Sequence, residues 1–89
     1  MRQIRYTNQF RKDFKQIQKQ GKDMALLKTV IDKLVTGEML GEKYKDHPLH
    51  GSYTGARDCH IDPDWILLYA VVGDELRLIR TGSHAELFE

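Results

Sequence analysis

Eight consecutive apolar residues, Trp65-Ile66-Leu67-Leu68-Tyr69-Ala70-Val71-Val72, set the first limit on what this chain can fold into. The run has strand length and falls far short of the roughly 20 apolar residues a spanning helix needs. Aromatic and β-branched side chains favour a strand, and the lack of polar alternation implies cover on both faces, as for a central strand with helices packed on its sheet. Asp62-Pro63-Asp64 precedes the run and Gly73-Asp74 follows it, both strong turn signals. Arg57-Asp58-Cys59-His60-Ile61 on one side and Glu75-Leu76-Arg77-Leu78-Ile79-Arg80 on the other complete a predicted antiparallel meander of three strands.

The first half reads differently. Arg2 to Thr7 alternates as a short strand would, and Thr7-Asn8 can cap a helix. Phe10, Phe14 and Ile17 recur at helical spacing, so a helix is expected from Asn8 to Gln20, with Arg11, Lys15 and Lys19 forming a basic stripe on another face. Gly21 interrupts this pattern. Asp23 can cap a second helix whose Leu26, Leu27, Val30, Ile31, Leu34 and Val35 would face a core before Gly37 ends it. Glu38 to Thr54 lacks periodicity and reads as a long loop, a feature often functional in small domains. Ser83-His84-Ala85-Glu86 has capping-box spacing, so a last helical turn is expected to start at Ser83. The predicted order is β-αα-βββ, an α+β fold in which one domain, residues 1–89, packs an antiparallel sheet on a helical hairpin.

With 40% hydrophobic and 30% charged residues, the chain has the composition of a folded domain. Cys59 is the single cysteine, so no internal disulfide is expected, and Met1-Arg2-Gln3-Ile4-Arg5 opens without an apolar signal; the expected location is cytoplasmic. The net charge of +1 hides a segregation: residues 1–36 hold nine Lys/Arg against three Asp/Glu, and residues 37–89 five against ten. Nucleic acid is one candidate partner for the basic half, and a solvated helical surface is the other reading. No membrane partner is expected.

All four histidines, His47, His50, His60 and His84, lie in the second half, with Asp58, Asp62, Asp64, Arg57 and Arg80. Cys59 and Ile61 share one strand face, which would point Asp58 and His60 away from the core. A loop histidine, a strand histidine, a turn aspartate and the strand-end Arg80 can thus converge at one end of the sheet. Imidazoles titrate near neutral pH and serve as acid or base, while an arginine fork fits phosphate oxygens. RNA cleavage needs this combination: a group to take the 2′-OH proton, a group to protonate the departing 5′-oxygen, and positive charge for the transition state. Competing uses remain open at this point. Arg80 can pair with Asp58 or Asp64, Trp65 suits the edge of a core, Cys59 suits a small buried hydrophobe, and His47-x-x-His50 with His60 or His84 could in principle hold zinc, though at no common structural spacing. Phosphate-binding glycine loops and a G-x-S-x-G elbow are absent.

Three ordered segments carry a resemblance: Tyr44-Lys45-Asp46-His47-Pro48-Leu49 with Gly51, Arg57-Asp58-Cys59-His60-Ile61-Asp62-Pro63-Asp64-Trp65-Ile66-Leu67, and Arg80-Thr81-Gly82-Ser83-His84-Ala85-Glu86-Leu87-Phe88. Together they closely resemble the YafQ branch of the RelE/ParE toxin superfamily. The resemblance implies a twisted antiparallel sheet against a helical hairpin, and an mRNA endonuclease that works in the ribosomal A site without cofactor or metal and is restrained by a cognate antitoxin. It implies His47, His60, Asp64 and His84 as the acid/base set, Arg80 on the scissile phosphate, and Trp65 and Phe88 shaping the nucleotide site. Arg11, Lys12, Lys15 and Lys19 then become candidate contacts to ribosomal RNA, and His50 a bystander. Arg57, Arg77 and Arg80 are the positive charges expected to offset the acidic second half at the site. The ParE branch, which poisons gyrase, and a binding module that acts only with its antitoxin are the alternatives, because fold alone does not decide function.

Overall fold

The structure, a computed structural model, describes residues 1–88. Helix α1, Asn8–Lys19, starts where the Thr7 hydroxyl accepts from the Phe10 amide at 2.9 Å. Helix α2, Met24–Thr36, starts where the Asp23 carboxylate accepts from the Ala25 amide at 3.0 Å. It ends on Gly37, whose φ of 81° lets the Glu38 amide fold back to the Lys33 carbonyl at 2.9 Å. These are the caps the sequence predicts.

Five strands form one sheet: β1 (Gln3–Tyr6), β2 (His47–Pro48), β3 (Arg57–Asp62), β4 (Trp65–Val72) and β5 (Glu75–Gly82), in the spatial order β1-β5-β4-β3-β2. β3, β4 and β5 make the expected meander, and the fold class is α+β as read from the sequence. Two features go beyond that reading. β1 joins the edge of β5 in parallel, Gln3 opposite Glu75 and Tyr6 opposite Leu78, so the sheet is antiparallel only across its other four strands. The helical hairpin begins the long crossover that a parallel arrangement needs, carrying the chain from the β1 edge to the opposite, β2 edge. The segment predicted as loop contains β2, which pairs His47 with Asp58, flanked by 3₁₀ turns at Glu42–Tyr44 and Gly51–Tyr53.

The hairpin covers one face of the sheet. Phe10, Ile17, Leu27, Val30 and Leu34 pack there against Cys59, Ile61, Trp65, Leu67, Tyr69, Leu76 and Leu78. Leu26, expected in this core, is instead 39% exposed, since the stripe that α2 buries is the narrower one through Leu27, Val30 and Leu34. A smaller cluster covers the other face, where Ile66 and Leu68 meet Leu87, with Leu49, Tyr53, Ile79 and Phe88 around them. That second cluster explains why β4 is apolar on both sides. Its covering comes from the segment after β2 and from the last helix, α3 (His84–Phe88). No helix among the described residues is long and apolar enough to cross a membrane.

Candidate active site

Strand register places the polar groups on the second face. His47 on β2 pairs with Asp58 on β3, Asp58 with Leu68 on β4, and Leu68 with Arg80 on β5, one row across four strands. Two residues along the same face, His60 pairs with Ile66, and Ile66 with Gly82. Ser83 and Glu86 then close the predicted capping box reciprocally, the Ser83 amide donating to the Glu86 carboxylate at 2.8 Å and the Glu86 amide to the Ser83 hydroxyl at 3.2 Å. The Ser83 amide is the main cause holding the Glu86 carboxyl below its ordinary pKa. His84, next in the chain, stacks its ring near Phe88 with centroids 4.9 Å apart, and Phe88 meets Tyr53 edge-on at 6.0 Å.

Asp58 is the hub of this arrangement, although alternation along β3 suggested an outward position. It is 4% exposed because the second cluster covers that face. Burial pushes its pKa up, and the nearby imidazoles of His47, His60 and His84 pull it back down. Its Oδ1 lies 3.1 Å from His47 Nδ1 but off the line of the ring N–H, so the two touch without a hydrogen bond and form an ion pair only when the imidazole is protonated. The same Nδ1 is 2.7 Å from the Lys45 carbonyl oxygen. A carbonyl can only accept, so in the neutral ring the proton sits on Nδ1 and Nε2 carries a free lone pair. The carbonyl is aimed by strain: among the described residues, Lys45 alone combines a side chain with positive φ, at 48°.

The residue before His47 is fixed as firmly. The Asp46 carboxylate accepts from Arg57 Nε at 2.9 Å and from the Tyr69 hydroxyl at 2.7 Å, tying the loop to β3 and β4. These contacts raise the pKa of Arg57, led by its hydrogen bond to Asp46, and that of Tyr69, led by burial.

Arg80 occupies the β5 edge beyond the last residue that β1 pairs, Leu78. It bonds neither Asp58 nor Asp64. Its Nε and Nη2 donate to the two oxygens of Asp13 on α1 at 3.0 and 3.1 Å. The hydrogen bond to Asp13 is the leading cause that raises the pKa of Arg80. Three arginines were expected to dominate the site's charge, and each has a carboxylate partner: Arg57 with Asp46, Arg77 with Glu75, Arg80 with Asp13.

One expectation needs correction. Trp65 does not line an accessible nucleotide site; it is 2% exposed within the helix-side core, and its Nε1 donates to the Thr81 hydroxyl at 2.8 Å. The bulge that sets Asp62, rather than Ile61, opposite Trp65 accompanies this inward placement. Asp64 lies in the exposed β3–β4 turn and accepts from the backbone amide of His84 at 3.4 Å, so it steadies the start of α3. Phe88 is half-buried beside His84, and His50 is exposed at the start of a 3₁₀ turn, outside the cluster. Cys59 is fully buried, with its thiol pushed up to about 12, and is no nucleophile. Among the described residues no group of three or more His, Cys, Asp or Glu side chains is placed to hold a metal ion.

Sequence comparison decides the family. Residues 2–89 match the model of the family described as bacterial toxin of type II toxin-antitoxin system, YafQ. The chain belongs to this family. Among its relatives is the mRNA interferase toxin YafQ of Escherichia coli K12, 49% identical over 88 residues that span 98% of this chain and 96% of the relative. The crystal structure of YafQ from E. coli BL21(DE3) superposes with a TM-score of 0.94 at 47% identity, covering both chains completely. A crystal structure of the E. coli DinJ–YafQ complex gives a TM-score of 0.93 at 48% identity, again over both full chains.

Proposed function

We propose that this YafQ-family protein is an endoribonuclease that cuts messenger RNA in the ribosomal A site and is silenced by a cognate antitoxin. The carrying observation is the geometry that sets His47 3.1 Å from the buried Asp58 carboxylate, with His60 two residues along the same face and His84 two residues past Gly82, which lies across Ile66 from His60. In this reading His47, assisted by His60 and Asp64, takes the proton from the 2′-OH. The oxygen attacks the adjacent phosphorus, the P–O5′ bond breaks, and His84 donates a proton to the departing oxygen. The products are a 2′,3′-cyclic phosphate and a 5′-hydroxyl. Arg80 supplies positive charge to the phosphate oxygens, Phe88 borders the nucleotide, and Asp64 holds His84 through its backbone. No covalent intermediate is needed, because the substrate supplies the nucleophile.

The named activity of the E. coli relative supports RNA cleavage over the gyrase and pure binding alternatives. The DinJ–YafQ assembly supports an antitoxin as the protein partner. A ribosomal substrate places the working protein in the cytoplasm. Incubation with translating ribosomes, followed by mapping of message ends, tests the proposal. A-site cuts bearing cyclic phosphate are expected, and intact messages would overturn it.

Helix α1 provides the docking charge. Arg11, Lys12, Lys15 and Lys19 are all exposed, on the side away from buried Phe10 and Ile17, and among the described residues none is in an ion pair. Each phosphate neutralised releases counterions and steepens the salt dependence of binding. Replacing all four with alanine is expected to weaken ribosome binding and flatten its salt slope without changing which codons are cut. An unchanged slope would remove these residues from the interface.

A further inference from the structure

Asp13 is a charged residue on the apolar stripe of α1, three residues after Phe10 and four before Ile17, and it is 9% exposed. A buried carboxylate is costly unless its oxygens are satisfied, and here they are thoroughly satisfied. Oδ2 accepts from Arg80 Nε at 3.0 Å and from the Thr81 amide at 3.2 Å. Oδ1 accepts from Arg80 Nη2 at 3.1 Å and from the Gln9 side-chain amide at 3.0 Å. Thr81 carries the network inward, its hydroxyl donating to the Ile66 carbonyl at 2.9 Å and accepting from Trp65 Nε1 at 2.8 Å.

The two-point grip fixes both the position and the plane of the guanidinium. Nε–H and one N–H of Nη2 are taken, so the second N–H of Nη2 and the two of Nη1, on the far side of the fork, are what remain to meet an anion, at a side chain only 23% exposed. A cleft of about 210 Å³ between α1 and the β5–α3 corner is lined by Gln9, Asp13, Gln16, Arg80 and Glu86. An untethered arginine there would sample many rotamers, and ordering it would oppose transition-state binding.

We propose that Asp13 is a positioning residue for cleavage: it aims Arg80 at the scissile phosphate and acts through Arg80 alone. The proposal rests on the assignment of Arg80 to the phosphate made above. It also places on one helix both the docking charges, on the outside, and the carboxylate that orients the phosphate-binding arginine, on the inside.

The experiment is a double-mutant cycle in single-turnover cleavage on ribosomes programmed with a message, using Asp13→Asn, Arg80→Ala and the pair. Asp13→Asn keeps the shape but turns one acceptor into a donor facing donors. It is expected to lower the cleavage rate about 10²-fold, the scale of loss for a misplaced catalytic group, with ribosome affinity within about twofold of the parent. In the Arg80→Ala background the same change is expected to alter the rate by less than about twofold. Fluorescence of Trp65, the sole tryptophan, and the melting temperature monitor the fold, and Asp13→Glu, which keeps the charge, is expected to recover part of the rate. Equal losses in both backgrounds, or an unchanged rate in Asp13→Asn, would overturn the role of Asp13. A normal rate in Arg80→Ala would instead overturn the assignment of Arg80 itself, and the inference with it.

Discussion

His84→Ala is expected to lower single-turnover cleavage by about 10²–10⁴-fold, the usual contribution of one general acid, while ribosome affinity changes little. The 5′-oxygen of a ribose is a poor leaving group as an alkoxide, so the late part of the transition state depends on a proton arriving there. His84 is placed for this by the Ser83–Glu86 capping box, by the contact of its amide with Asp64, and by the Phe88 ring against which it rests. A message carrying a 5′-bridging sulfur at the scissile position separates acid from base, because a thiolate departs without protonation. On that substrate the His84→Ala variant is expected to regain most of its rate, whereas a variant lacking His47 is not. Loss of ribosome binding in His84→Ala, or no rescue by sulfur, would reassign His84 to positioning.

The elements that depend on local chemistry were legible. Thr7, Asp23 and Gly37 bound the helices as their side chains or backbone freedom dictate, and the Ser83–Glu86 spacing marks the start of α3. The β4 run and its flanking turns predict the meander. What escaped the sequence depends on contacts distant along the chain. β1 pairs with β5 in parallel across 72 residues, and β2 is only two residues long, too short to show periodicity. The second cluster owes its existence to Leu49, Tyr53, Leu87 and Phe88 converging from two separate segments. Without it, Asp58 reads as a solvent-facing strand residue. Trp65 was placed at the nucleotide by resemblance, whereas the apolar β4 run already argued for the core. Asp13 left a signal that could have been read, since a carboxylate at i+3 on an apolar helical stripe calls for a cationic partner.

Asp58→Asn is expected to make the protein more stable and less active, a pairing that follows from a carboxylate held in place for chemistry at the expense of folding. The folded protein raises the pKa of Asp58, chiefly by burial, so folding favours the protonated carboxyl. With the folded pKa above the unfolded one, the group's contribution to stability is fully present below the unfolded pKa and is lost as pH rises through the folded pKa. The neutral amide suffers no such loss. The variant's advantage should therefore be small in acid, open as pH climbs through the carboxylate range, and reach about 1 kcal/mol at pH 7, the scale for relieving one poorly satisfied buried polar group. For a domain of this size that is a Tm rise of about 4–8 °C. Cleavage should fall in the same variant, because the carboxylate beside His47 no longer offsets the positive charge that develops as the proton moves in the transition state. The expected loss is at least about 10²-fold, short of the ~10⁴ seen when the carboxylate of a Ser-His-Asp triad is neutralised, since His47 keeps its second tether on the Lys45 carbonyl. Thermal melts from pH 3 to 8 beside single-turnover rates check both halves. A variant that is no more stable at neutral pH and cleaves at the parental rate would show that Asp58 is an ordinary buried side chain and that the histidines do not depend on it.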